Sequence, residues 1–76
     1  DAAPITHSKP HPEIFLTAAA KLGVDPGECL GIEDAVAGVA SIKRAGMYAL
    51  GVGSPAVLTE ADRVIPGLDR FRLEDY

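Results

Sequence analysis

Apolar positions fall into two rhythms along this chain, one repeating every three or four residues and one running continuously over short stretches. Ile14, Phe15, Ala18, Ala19 and Leu22 share the helical rhythm. Pro12 suits a first helical position, Glu13 the positive end of the helix dipole, and Gly23 a helix stop, so the pattern predicts a helix over 12–22. Asp25, Pro26 and Gly27 make a turn, after which Glu28-Cys29-Leu30-Gly31-Ile32 is a short apolar run of strand length, suited to burial within a sheet. Polarity changes abruptly at Glu33 and Asp34. From Ala35 onward Val36, Val39 and Ala40 resume the helical rhythm, Lys43 and Arg44 oppose the negative dipole end, and Gly46 closes a second helix. Met47 to Val52 is the next predicted strand, Gly53-Ser54-Pro55 a break, and Arg63-Val64-Ile65 a short edge strand. The stretch from Asp1 to His11 carries Pro4 and Pro10 and no period, so it reads as a loop that delivers Lys9 to the first helix.

The order is therefore αβαβ and then β. Parallel neighbours need a long connection, which a helix supplies, so the alternation predicts an α/β fold with a parallel sheet and crossover helices.

Charge and composition narrow the function. With 7 Lys+Arg against 11 Asp+Glu and a net charge of −4, the chain offers no basic field to a phosphate backbone, so nucleic acid is not an expected partner. No apolar stretch approaches the ~20 residues of a spanning helix, so no membrane partner is expected either. The single Cys29 makes no internal disulfide, and a reducing, cytoplasmic setting is the default. A chain of 76 residues beginning at Asp1 builds only a marginal core, and it reads as part of a larger protein.

In an open parallel sheet, ligands bind beyond the carboxyl ends of the strands, and Glu33-Asp34 lies at such an end. Two adjacent carboxylates repel each other, and a hard cation such as Mg²⁺ would offset that repulsion. The plainer alternative is that Asp34 caps the second helix while Glu33 points into water. Lys9, between Ser8 and Pro10, is placed to reach a phosphate or a carboxylate cluster, although most surface lysines do neither. Gly51-Val52-Gly53 resembles the opening of a dinucleotide loop, but the third glycine is missing and Ser54-Pro55 stands where a helix should start, which leaves a tight strand exit. His7 and His11 flank Lys9 without ligand spacing and read as exposed side chains. Cys29 has no base nearby in sequence and reads as a small core residue. No Ser/His/Asp order and no Walker loop can be assembled.

Taken together, Ser8-Lys9-Pro10-His11-Pro12-Glu13-Ile14-Phe15, Gly31-Ile32-Glu33-Asp34-Ala35-Val36-Ala37-Gly38, Ala45-Gly46-Met47 and Gly51-Val52-Gly53 resemble the haloacid dehalogenase superfamily over roughly residues 5 to 53. Within it the pattern is most similar to the mutases that interconvert β-glucose 1-phosphate and glucose 6-phosphate. The resemblance implies a Rossmann-like, three-layer α/β/α core with a helical cap, a Mg²⁺ cofactor, a sugar phosphate substrate, and phosphoryl transfer through an aspartyl-phosphate. It implies that Lys9 stabilises the phosphoryl group, with Ser8 beside it in the phosphate site. Glu33 and Asp34 correspond to the acidic pair at the magnesium. The family's nucleophile and acid/base lie in an Asp-x-Asp motif, and none occurs among Asp1, Asp25, Asp34, Asp62, Asp69 and Asp75. Residues 1–76 are then expected to be the C-terminal part of such a core, inactive alone, with the first core strand and the cap supplied by the rest of the protein or by a complementary fragment. A sugar-phosphate phosphatase on the same fold and a non-catalytic α/β association module are the alternatives.

Overall fold

The computed structural model describes residues 11–76. Ser8, Lys9 and His7 lie outside the described residues.

Helix α1 (Glu13–Leu22) starts one residue later than its sequence pattern implies, because Pro12 takes the capping position. Its carbonyl accepts from the Phe15 and Leu16 amides at 3.1 and 3.0 Å. Ala19 is buried and Phe15 packs on the core, whereas Ile14 and Leu22 remain exposed. The apolar stripe is therefore only partly covered among the described residues.

The stretch after α1 departs from expectation for a local reason. The Asp25 side chain accepts from the Gly27 amide at 2.8 Å and caps a 3-10 turn, Pro26–Glu28. That turn delays the strand, so β1 runs Leu30–Glu33 rather than Glu28–Ile32. Cys29 sits in the link, donates from Sγ to the Asp25 carbonyl at 3.4 Å, and is half-buried against the core, which keeps the packing role expected of it.

Helix α2 (Val36–Arg44) leads to β2 (Tyr48–Val52), and β3 (Arg63–Ile65) completes a parallel sheet of order β1-β2-β3. Leu30 pairs with Tyr48 and Glu33 with Gly51, while Leu50 pairs with Arg63 and Val52 with Ile65. Side chains alternate across a strand, so this register puts Gly31, Glu33, Ala49, Gly51 and Val64 on one face. Helix α2 covers that face, and Val39, Ile42, Ala45, Met47, Ala49 and Leu58 form the core between them with Ala19 of α1. A Cβ on Gly31 would come within 2.7 Å of three Ile42 side-chain carbons, so the glycine sets how closely helix and sheet approach.

The opposite face carries Leu50, which is fully buried, and Ile32, which is 41% exposed. The strand is thus not buried on both faces among the described residues. The C-terminal segment crosses this side through 3-10 turns at Leu68–Arg70 and Leu73–Asp75. It brings the Tyr76 ring edge-on to Tyr48 at 5.7 Å between centroids, stacked on Phe71 at 5.9 Å, and beneath the Arg63 guanidinium at 5.3 Å. No helix among the described residues is long and apolar enough to cross a membrane.

Candidate functional site

Because all three strands are parallel, their carboxyl ends share one edge, and the loops after Glu33, Val52 and Ile65 leave from it together. At that edge lies a shallow depression of about 240 Å³ lined by Ile32, Glu33, Asp34, Val52 and Leu68. The structure therefore brings the acidic pair to the place where a doubly wound sheet binds ligands.

The two carboxylates have different jobs. Strand alternation turns Glu33 toward α2, and its Oε1 accepts from the amides of Asp34 at 3.0 Å and Ala35 at 3.2 Å. These amides precede α2, whose capping residue Ala35 makes no side-chain capping bond. Glu33, not Asp34, supplies the anion at the helix start, where the dipole favours it. The plainer alternative, in which Asp34 caps while Glu33 faces water, is thus reversed, because the pleat decides which neighbour meets the helix. Gly38 leaves the room this needs: a Cβ there would overlap Cγ and Cδ of Glu33. Asp34 stays exposed at the rim of the depression.

The expected glycine exit is made by one residue of the two. Gly51 lies buried inside β2, where a Cβ would meet Leu58 at 2.9 Å, Ala61 at 3.2 Å and Val64 at 3.3 Å. Gly53 turns the chain at φ 144°, a conformation that favours glycine, and its amide donates to the Ile65 carbonyl at 2.9 Å. Turn residues follow Gly53, not a helix, in keeping with the failed dinucleotide motif. His11 is exposed and its Nδ1 accepts from the Glu13 amide at 3.3 Å.

Among the described residues no cluster of three or more His, Cys, Asp or Glu side chains is arranged for a metal ion. Glu33 and Asp34 are hard oxygen donors of the kind Mg²⁺ takes, and Mg²⁺ is bound by one or two carboxylates plus water and substrate oxygens. The pair fits such an ion as part of a donor set that other residues complete. Leu68 reaches the same depression from the C-terminal segment, a placement without any local signal in the sequence.

A parallel α/β sheet with an acidic pair at its carboxyl edge defines a Rossmann-like fold with a candidate site at the strand ends. Comparison with known proteins narrows this: the haloacid dehalogenase-like hydrolase model matches residues 1–46. The chain belongs to the haloacid dehalogenase-like hydrolase family. It is 47% identical over 74 residues to a β-phosphoglucomutase of Bacillus subtilis, a match covering 97% of this chain and 33% of that protein. It is 46% identical over 54 residues to hexitol phosphatase B of Escherichia coli, covering 71% of this chain and 24% of that one. Among solved structures, β-phosphoglucomutase from Clostridium difficile superimposes with a TM-score of 0.92 at 43% identity, over 99% of this chain and 34% of the other. The chain thus spans about a third or less of the length of the relatives it matches.

Proposed function

We propose that residues 1–76 are the C-terminal part of the core domain of a Mg²⁺-dependent β-phosphoglucomutase, interconverting β-glucose 1-phosphate and glucose 6-phosphate. The observation that carries this reading is Glu33-Asp34 at the shared carboxyl edge, with Glu33 held on the α2 amides and Asp34 exposed beside the depression. The similarity to two β-phosphoglucomutases supports the substrate class.

In this reading Glu33 and Asp34 both ligate the cation, and Glu33 Oε1 also holds the turn that presents Asp34. Bound Mg²⁺ would supply positive charge at the phosphoryl oxygens. Lys9, with Ser8, brings a second positive charge and a hydroxyl to the same phosphoryl group, a role resting on the motif alone because both residues lie outside the described region. The nucleophilic Asp and the sugar-selecting cap come from the remainder of the protein, so residues 1–76 alone are inactive. A sugar phosphate is the substrate and the complementary core segment the structural partner.

The hexitol phosphatase similarity favours a second reading on the same site, in which water accepts the phosphoryl group. Incubating the protein that carries this chain with β-glucose 1-phosphate and Mg²⁺ separates the readings. Glucose 6-phosphate without free phosphate supports the mutase. Released phosphate across several sugar phosphates supports the phosphatase, and turnover of neither leaves the association module.

A further inference from the structure

Gly38 has no part in the chemistry proposed above, yet its surroundings are specific. It is buried in the first turn of α2, five residues after Glu33. Its φ is not among the positive values, which belong to Gly23, Gly46 and Gly53. The backbone here would accept any helix former, and glycine is a poor one. Only space explains it. A Cβ at position 38 would overlap Cγ and Cδ of Glu33, and the Glu33 side chain is not a mobile tip that could swing aside without consequence. Its Oε1 holds the amides of Asp34 and Ala35, at 3.0 and 3.2 Å.

We infer that Gly38 is a positioning residue: the space it leaves lets the Glu33 carboxylate seat on the Asp34 and Ala35 amides, fixing the backbone that presents Asp34 to the cation. This rests on the reading of Asp34 as a magnesium ligand, and it adds a residue that never touches the ion. An outer partner that orients a ligand characteristically changes metal affinity by about 10- to 100-fold when lost.

The test is a double-mutant cycle in the protein that carries this chain, using Gly38→Ala, Glu33→Ala and the pair together. Two quantities are read: the amide proton shifts of Asp34 and Ala35 by NMR without metal, and the Mg²⁺ concentration that half-saturates binding by calorimetry. Loss of a charge-assisted bond moves both amide signals upfield. Gly38→Ala should move them as Glu33→Ala does and raise the half-saturating concentration about 10-fold or more. In the Glu33→Ala background the same glycine substitution should change either quantity little, less than about twofold for Mg²⁺, because the side chain it obstructs is gone. Unmoved amide signals in Gly38→Ala, or a full additive effect in the double variant, overturn the inference. Should Gly38→Ala fail to fold, the double variant must fold, and its failure overturns the inference too. If the wild-type protein binds no Mg²⁺, the functional reading falls while the amide signals still decide whether Gly38 acts through Glu33.

Discussion

Asp62 and Ala49 exchange two hydrogen bonds just before β3 begins: the Ala49 amide donates to Asp62 Oδ2 at 2.7 Å, and the Asp62 amide donates to the Ala49 carbonyl at 2.9 Å. A side-chain carboxylate thereby completes the ladder of β2 where a strand partner has not yet started. The same Oδ2 accepts from Lys43 Nζ at 2.8 Å, and Nζ reaches the Met47 carbonyl at 3.2 Å, so the end of α2, the start of β2 and the long loop are joined at one point. The Ala49 amide first, and then Lys43, hold the Asp62 carboxyl below its ordinary 3.8.

Asp62→Ala should therefore destabilise the protein by about 1 kcal/mol at neutral pH, below the ~1.5–3 kcal/mol of a well-shielded bond to a charged group because the side chain is 32% exposed. The folded-state pKa is depressed, so this stability is present above the unfolded value and is lost as pH falls through the lower folded value. Urea denaturation of wild type and variant at neutral pH and below pH 3.8 checks it. A gap that stays constant across that window contradicts the assignment.

Gly31→Ala should destabilise by about 1–3 kcal/mol, since the new methyl must displace Ile42 from a fully buried seat. Ile42→Ala alone should lose about 2–5 kcal/mol through the cavity it opens. The two together should lose less than their sum, because each relieves what the other creates. Strict additivity in denaturation midpoints would show that helix α2 does not press on this glycine.

Asp34→Asn should lower kcat/KM by about 100-fold or more while leaving the melting temperature nearly unchanged, because the side chain is exposed and the substitution removes only charge at the cation. Lys9→Ala should lower turnover by about 10²- to 10³-fold, the scale of a lost electrostatic donor. Both are read by steady-state kinetics of the protein carrying this chain. Full activity in either variant removes that residue from the site.

Much of the architecture was legible because it depends on local chemistry. The periodicity of Val36, Val39 and Ala40 with Gly46 beyond them gave α2, and the run from Met47 to Val52 gave β2 to within one residue. The β1 boundary was misplaced because the Asp25 side chain, whose bond to Gly27 is invisible to hydropathy, winds the chain into a 3-10 turn first. The place of Glu33-Asp34 at a strand end is legible in the sequence, but which of the two meets the α2 amides is not, since that depends on which carboxylate the pleat turns toward α2. The spacing of five from Glu33 to Gly38 was a usable signal once β1 and α2 face each other. Asp62 and Leu68 carried none, because their partners are far along the chain.

The packing of Tyr76 against Phe71 and edge-on to Tyr48 has an optical consequence. The chain contains no tryptophan and only two tyrosines, and both sit in this one cluster on the sheet face away from α2. Within these 76 residues, ultraviolet emission is thus a label built in by nature for a single event, the seating of the C-terminal segment. Its intensity and its accessibility to iodide report that seating, and with it the arrival of Leu68 at the depression on the carboxyl edge.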